Sequence, residues 1–285
     1  MRLMRRRNPE QSPPLRPIKW VSLEAGDAGA HPGLINDIMA KRVDGMSVRG
    51  MFDPASIDHA LQMFEAMDDD WTAHPFGSLL GMPLNMIGAN SRDRTPYLDD
   101  AERFRPVLRD GFGFDPHQRM IDVLRPMSGD LEIVSPTEDG REYSGGNIRR
   151  YEPGRGGLKT HAGNEFNDLL KDGAMSHLLT TTLMHDHMSY FVILQEPEVG
   201  GELSVFDLLW GEEPTQDEKW YGFRDDSSFE SVSMLRIPPV KGELVMFGGG
   251  WRWHRVDEIS GRKARITYGG FAAPRIDGQA IHLFN

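Results

Sequence analysis

The chain has 285 residues, a formal net charge of −11 and no cysteine. The negative charge argues against a general nucleic-acid or anionic-membrane binder, because the field of the whole molecule repels polyanions. Without cysteine, disulfides, thiolate metal sites and a cysteine nucleophile are excluded. No apolar run approaches the roughly 20 residues that a membrane-spanning helix needs. Together with the missing secretory signal, these features predict a cytoplasmic protein that uses neither a membrane nor nucleic acid as partner.

The sequence starts with a basic, proline-rich stretch. Residues 1–18 combine prolines with an arginine cluster and predict a flexible N-terminal segment. Residues 19–285 contain no internal repeat and no stretch that requires a linker, so a single domain is predicted over this range.

Helices are expected in the front half of this domain and strands in the back half. Apolar residues at helical spacing predict helices over residues 35–43, 54–67, 101–109 and 115–124. Short β-prone runs between turn signals predict strands over residues 45–50, 131–134, 146–151, 189–195, 202–207, 242–247 and 264–272. Residues 68–97 have an irregular pattern that is typical of a functional loop, and Ser56 is expected to cap the second helix. The predicted class is α+β, mainly β: a double-stranded β-helix (jelly roll, cupin-like) with helices packed on one sheet.

Ten histidines are the main candidates for metal ligands. The common non-haem iron site joins two histidines and one carboxylate, usually as His-x-Asp or His-x-Glu with the second histidine far downstream. None of the ten has an acid two positions later. His161 nevertheless follows a strand and a Gly-rich turn, and Arg265 lies eleven residues after His254, where its guanidinium suits a dicarboxylate cosubstrate. The pattern predicts His161 and His254 as metal ligands, with Gly163 at the position of the usual carboxylate.

Two alternatives for the metal ligands stay open at this point. His185 and His187 flank Asp186 and offer a second histidine pair, although this polar stretch has no nearby arginine and is typical of a loop. Glu165 could complete the site if the backbone curled there, whereas on a strand running into a turn it would point away, which is favoured. Completion of the site by Glu165 or by a water would favour a hydroxylase or another oxygenase. A separate alternative concerns the function: the chain could be a non-catalytic binding module, because a fold alone does not imply chemistry.

Several motifs match a known family over nearly the whole chain. The most specific is His161-Ala162-Gly163-Asn164-Glu165-Phe166, with His-x-Gly in place of His-x-acid. Others are Asp44-Gly45-Met46, Ser189-Tyr190-Phe191, Gly200-Gly201-Glu202-Leu203, Trp253-His254-Arg255-Val256 and Gly269-Gly270-Phe271. With these motifs the chain resembles the freestanding iron(II)- and 2-oxoglutarate-dependent aliphatic halogenases that chlorinate hapalindole-type indole alkaloids.

This resemblance implies a set of cofactors and the residues that hold them. Iron(II) would lie on His161 and His254, chloride would take the position that Gly163 leaves open, and O2 would be the oxidant. Arg265 would anchor 2-oxoglutarate, with Thr267 beside it. Ser189 matches a family serine near the metal.

A second arginine for 2-oxoglutarate is implied on the strand before the Gly-rich turn. Counting back from His161 gives Arg150, whereas matching the Ile-Arg pair gives Arg149. Neighbouring strand residues face opposite sides, so only one of them points inward, and both stay candidates.

The resemblance also implies the kind of substrate. It would be a freestanding small molecule, with no carrier protein, that is chlorinated at an unactivated aliphatic carbon. The expected substrate contacts are Phe76, Leu79, Leu80, Met82, Met86 and Phe166. Residues 76–90 match the family only loosely, so the indole-alkaloid substrate is not carried over to this chain.

Overall fold

A computed structural model of the chain describes residues 17–67, 70–87, 91–155, 157–170, 172–214 and 222–285. The predicted flexible segment therefore lies almost wholly outside the described residues. The helices are α1 (Leu34–Met39), α2 (Pro54–Glu65), α3 (Thr95–Phe112), α4 (Pro116–Leu124), α5 (Gly163–Leu170) and α6 (Leu178–Thr181). No helix in these ranges is long and apolar enough to cross a membrane.

The strands are numbered in chain order. The first eight are β1 (Trp20–Glu24), β2 (Gly45–Arg49), β3 (Thr72–His74), β4 (Gly77–Leu80), β5 (Glu132–Val134), β6 (Thr137–Glu138), β7 (Arg141–Glu142) and β8 (Asn147–Tyr151). The others are β9 (Met188–Gln195), β10 (Val199–Gly200), β11 (Leu203–Leu209), β12 (Met234–Ile237), β13 (Leu244–Phe247), β14 (Arg252–Val256), β15 (Ile259–Ser260), β16 (Arg265–Pro274) and β17 (Ala280–Phe284).

One large sheet dominates this mixed α/β structure. Its strands follow the order β1-β2-β13-β9-β16-β8-β4-β3, and β17 joins β16 to β5. The pairs β1–β2 and β17–β5 are parallel, and the central pairs are antiparallel. A second sheet has the order β12-β11-β14 and carries His254 on β14.

The central strands of the large sheet alternate between two environments, because successive side chains of a strand point to opposite faces. One face packs against α2, α3 and α4 in a single apolar core, as predicted. Its sheet residues include Ile148, Tyr190, Val192, Met246 and Tyr268. The opposite face borders a cavity through Arg149, Ser189, Phe191, Phe247 and Thr267. The alternation therefore places apolar side chains on the core face, whereas the cavity face carries polar side chains together with two phenylalanines.

Two of the helices that cover the sheet have an aspartate as their N-cap residue. The side chain of Asp53 accepts hydrogen bonds from the amides of Ala55 and Ser56, and Asp115 does the same for the amides of His117 and Gln118. An N-cap of this kind typically stabilises a protein by about 1 kcal/mol. The prediction that Ser56 caps α2 is wrong, because Pro54 already occupies the first turn and Asp53 precedes it.

About half of the predicted loop over residues 68–97 lies in helices or strands; residues 68–69 and 88–90 lie outside the described ranges. β3 and β4 form a hairpin that extends the large sheet through β8. The turn before β4 needs Gly77, whose φ is +148° and where a Cβ would lie 1.9 Å from the Arg150 carbonyl oxygen. Strands of three and four residues are too short to show alternation, so the pattern had favoured a loop.

Candidate metal and cosubstrate site

Backbone pairing brings together the two histidines that were predicted as metal ligands. His254 lies on β14 and His161 just before α5, and each backbone amide donates to the carbonyl oxygen of the other at 2.9 Å. Their ring centroids lie 4.2 Å apart, and both residues line the same cavity. Two ligands of one metal ion require this kind of proximity.

A backbone carbonyl fixes the tautomer of each ring. Nδ1 of His161 lies 2.7 Å from the Lys159 carbonyl oxygen, and Nδ1 of His254 lies 2.9 Å from that of Arg252. A carbonyl oxygen only accepts, so Nδ1 carries the proton and Nε2 keeps its lone pair. Burial lowers the pKa of His161 to about 4. Burial and the neighbouring His161 lower the pKa of His254 well below its usual range. Both rings are therefore neutral at pH 7, the form that binds a metal.

Gly163 is the first residue of α5, so the stretch after His161 is a helix and not the strand and turn that were favoured for Glu165. Its amide donates to the Gly249 carbonyl oxygen at 2.8 Å, which fixes the backbone beside the two histidines. Gly163 lines the same cavity as both of them. In the part of the chain that the structure describes, no three His, Cys, Asp or Glu side chains are arranged to hold a metal ion. The groups that the structure brings together at this position are thus two imidazoles and a glycine.

Glu165, the alternative carboxylate, is occupied elsewhere. Its Oε1 accepts hydrogen bonds from the Arg224 guanidinium at 3.0 Å and from Trp210 Nε1 at 3.1 Å. Arg224 is buried, and removing its carboxylate partner would leave an uncompensated buried cation. Glu165 points away from the cavity, as favoured from the sequence, but it does so from the first turn of a helix and not from a strand.

The structure separates the two candidate arginines on β8. The Arg150 guanidinium lies 4.1 Å from the centroid of the Trp71 ring and pairs with Glu152 at 3.0 Å. Arg149 instead faces the cavity, directly opposite Thr267 in the register of β8 and β16. Arg150 borders the cavity as well, but its charged group is engaged on the other side of the strand. Arg149 is therefore the arginine that shares a face with Thr267 and Arg265.

Arg265 is a buried cation that forms no ion pair with a carboxylate in the described part of the chain. It is 2% exposed, its Nε has no hydrogen-bond partner, and its guanidinium lies 4.9 Å from the centroid of Phe191. Burial, with a smaller contribution from Arg149, lowers the pKa of Arg265 to about 10, so it stays charged at pH 7. A buried unpaired charge is costly, and a carboxylate would compensate it with two parallel hydrogen bonds. Arg265 is thus suited to anchor a carboxylate ligand.

The cavity beside the histidines has a volume of about 370 Å³ and mainly apolar walls, as ligand pockets usually do. Of the six predicted substrate contacts, four line it: Phe76, Leu79, Met86 and Phe166. The prediction is wrong for Leu80, which is fully buried in the core under the helices because it faces the opposite side of β4 from Leu79. It is also wrong for Met82, which packs against a separate apolar cluster around Leu84 and Tyr97.

Further cavity residues were not predicted. They include His74, Met175, Met184, His187, Phe223 and Asn285. His187 lies in a loop, as expected from the sequence, and it borders the cavity two residues before Ser189, which also lines it. Strand alternation counted back from Ser189 is the signal that would have found His187.

Comparison with solved structures found, among others, one dioxygenase, in two structures, and a hydroxylase. An N-substituted L-amino acid dioxygenase from Burkholderia ambifaria AMMD has a TM-score of 0.50 and 15% identity, covering 90% of this chain and 91% of that chain. Its complex with alpha-KG has a TM-score of 0.49 and 15% identity, covering 87% of this chain and 90% of that chain. A prolyl-4-hydroxylase from Pseudomonas putida has a TM-score of 0.41 and 12% identity, covering 85% of this chain and 96% of that chain. None of the curated proteins with which the sequence was compared matches it.

The neutral histidine pair fits iron(II) because it offers two nitrogen lone pairs, and the buried Arg265 fits 2-oxoglutarate because its guanidinium can bind a carboxylate. Fold and site together define an iron(II)- and 2-oxoglutarate-dependent oxidoreductase. Residues 17–285 match the family described as carrier-protein-independent halogenase WelO5, so the chain belongs to this family. The family predicted from the His161–Phe166 motif is confirmed.

Proposed function

We propose that this protein chlorinates an unactivated aliphatic carbon of a freestanding small molecule, using iron(II), 2-oxoglutarate, O2 and chloride. The observation that carries the proposal is Gly163 beside His161 and His254 on one cavity. A carboxylate ligand would supply one donor atom and one negative charge, and glycine supplies neither. A chloride ion provides both. The description of the family as carrier-protein-independent supports a substrate that is not attached to a carrier.

His161 and His254 would hold the iron through Nε2, because the carbonyls of Lys159 and Arg252 already bind their Nδ1–H groups. Bound iron supplies the oxidative chemistry with O2 and 2-oxoglutarate. Arg265 would pair with the far carboxylate of 2-oxoglutarate.

Two further groups share the cavity face with Arg265. Thr267 follows it by two residues on β16, and Arg149 lies opposite Thr267 on β8. Both would bind the carboxylate of 2-oxoglutarate that pairs with Arg265, since each side chain is polar and borders the cavity. Arg150, held by Trp71 and Glu152, would have no part in this.

The remaining cavity residues would decide which atom the substrate carbon receives. Ser189 projects from β9 toward the cavity, where its hydroxyl would hold a water molecule near the two histidines. The apolar side chains of Phe76, Leu79, Met86 and Phe166 would exclude bulk water and place the substrate carbon. Their placement of the substrate carbon relative to the chloride would decide between chlorination and hydroxylation, because the two outcomes differ in where the carbon is held.

The arrangement of the sheets supports a jelly roll. The large sheet and the sheet β12-β11-β14 contribute residues to the same cavity, and α2, α3 and α4 cover the other face of the large sheet. We assign this arrangement to a double-stranded β-helix in one domain over residues 19–285.

The test is the halide dependence of the reaction. A panel of apolar small molecules would be incubated with iron(II), 2-oxoglutarate and O2, with and without chloride, and the products identified by mass spectrometry. Chlorinated product that requires chloride is expected, and Gly163→Asp should abolish it. A hydroxylated product that is insensitive to chloride and is lost in Glu165→Ala would contradict the proposal.

A substrate-independent measurement complements the product analysis. Chloride added to the anaerobic complex with iron(II) and 2-oxoglutarate should shift its visible charge-transfer absorption, because the anion would enter the coordination position at Gly163. The shift should be absent in Gly163→Asp, because the added side chain would crowd and distort that position even where it does not bind the iron.

A further inference from the structure

The space next to Gly163 is filled by the ring of His187, for which the proposed function gives no role. A Cβ built on Gly163 would lie 2.4 Å from both Cε1 and Nε2 of this ring. Real Cβ atoms do not approach other atoms so closely, so any residue other than glycine requires the ring to move. The φ angle of Gly163 is not in the left-handed region, so the backbone itself would accept a side chain.

The ring of His187 is held in place from several directions. His187 is 4% exposed, and its Nδ1 lies 3.1 Å from the Met184 carbonyl oxygen. The ring meets Phe271 edge-on, with centroids 5.2 Å apart and planes at 89°. Its backbone carbonyl accepts a hydrogen bond from the Gly250 amide at 2.8 Å. The ring is therefore packed and hydrogen-bonded, and not a loose end that yields readily.

The loop that carries His187 is also tied to the residue that follows Gly163. The Asn164 side-chain amide donates to Asp186 at 2.8 Å, and the Asp186 backbone amide donates back to the Asn164 side chain at 2.9 Å. Asp186 has a left-handed φ of +60° and pairs with Lys41 at 2.7 Å. These contacts fix the segment of His187 relative to the start of α5, so the close approach of ring and glycine is built into the fold.

We propose that His187 is a positioning residue that takes the space of a side chain at residue 163 and so keeps one coordination position beside His161 and His254 open to an anion. The identification of that anion as a halide rests on the proposed function, whereas the steric relationship does not. Glycine supplies no carboxylate, and the imidazole leaves no room for one when residue 163 alone is substituted. The imidazole also forms a wall of the anion position.

The first test measures steric coupling in the protein without metal. Gly163→Ala should lower the melting temperature by about 5 °C, because overpacking a rigid site is destabilising. At a glycine with ordinary φ the same substitution would otherwise raise stability by restricting the unfolded chain. In a His187→Ala background the loss should largely disappear. His282→Ala provides the matched control, because His282 is an equally buried histidine, bonded to Thr182, that does not contact Gly163.

The results are decisive in both directions. An unchanged melting temperature of Gly163→Ala, or an equal loss in the His187→Ala and His282→Ala backgrounds, would overturn the proposal. If Gly163→Ala yields no folded protein, recovery of folding in Gly163→Ala/His187→Ala supports it, and failure to recover counts against it.

The second test asks whether a carboxylate can be restored as a ligand. Anaerobic iron(II) titrations would compare Gly163→Asp with Gly163→Asp/His187→Ala, in the presence of 2-oxoglutarate and followed by charge-transfer absorption. The double variant should bind iron at least about 10-fold more tightly, a change typical of altered ligand support. Equal affinity in the two variants would contradict the steric role. Neither test uses chloride or an organic substrate, so its outcome is separate from the outcome for chlorination.

Discussion

His161 and His254 are linked by two backbone hydrogen bonds of 2.9 Å, and each ring donates Nδ1–H to the carbonyl oxygen two residues earlier in the chain. The same local geometry is thus used twice, once before a helix and once on a strand. Its consequence is that backbone carbonyls fix the tautomer of both rings and leave both Nε2 lone pairs free. Aromatic side chains also hold the rings, because Phe166 and Phe223 pack on His161 and Phe247 packs on His254.

Loss of either ring should therefore abolish tight iron binding. We expect His254→Ala to weaken iron(II) affinity by more than the roughly 10–100-fold that the loss of an outer-shell partner causes. Anaerobic titration with 2-oxoglutarate present measures this loss. The control is His117→Ala, since His117 is bonded to Ser135 and does not line the cavity. Similar affinities for the two variants would show that His254 is not a ligand.

Arg265→Met should weaken 2-oxoglutarate binding without unfolding the protein. Truncating one partner of a buried charge pair costs about 2–5 kcal/mol in binding, which corresponds to at least about 30-fold in affinity. The protein without ligand should keep its melting temperature, because the substitution removes a buried charge that has no carboxylate partner in the described residues. Calorimetric titration and thermal denaturation measure the two quantities. A strong loss of stability with unchanged affinity would contradict this role.

The two arginines on β8 should differ in the same titration. Arg149→Met should weaken 2-oxoglutarate binding, because Arg149 faces the cavity opposite Thr267. Arg150→Met should leave the affinity unchanged within about twofold, because its guanidinium lies on Trp71 and pairs with Glu152. The opposite result would place Arg150 at the cosubstrate.

Much of the sheet was predictable because its strands lie between strong turn signals. Each strand predicted from residue 131 onward lies within two residues of its expected bounds. The strand of His254 and the hairpin at Gly77 were missed, since such short segments carry too little pattern. The site was less predictable in detail. Arg149 and Arg150 differ only in register with β16, and His187 reaches Gly163 through a tertiary contact that no local spacing encodes.

Leu80 and Met86 test the boundary between core and cavity. Leu80 is fully buried under the helices, so Leu80→Ala should lower the free energy of unfolding by about 2–5 kcal/mol. Met86 lines the cavity and is 39% exposed, so Met86→Ala should change it by less than about 0.5 kcal/mol. Urea denaturation of both variants gives the comparison. Equal losses would contradict the assignment of the two residues.

Acid should destabilise the protein without metal from about pH 6.5 downward, through its buried histidines. Burial lowers the pKa of His161 and His187 from 6.5 to about 4, so between these values the unfolded chain binds protons that the folded chain does not. The free energy of unfolding should fall from pH 6.5 toward pH 4 by up to about 1.4 kcal/mol per pH unit for each histidine, and should be independent of these groups above pH 6.5. Urea denaturation at several pH values should show a shallower slope for His161→Gln. An identical slope would disprove the contribution of His161.

On the proposed function, an anion and not a protein carboxylate would complete the metal site beside Gly163. The decisive measurement is an anaerobic crystal structure with iron(II), 2-oxoglutarate and bromide, because bromide is identified by its anomalous scattering. We expect a bromide peak bonded to the iron at the position facing Gly163 and bordered by His187. An Asp or Glu side chain of this chain bonded to the iron in that structure would contradict it.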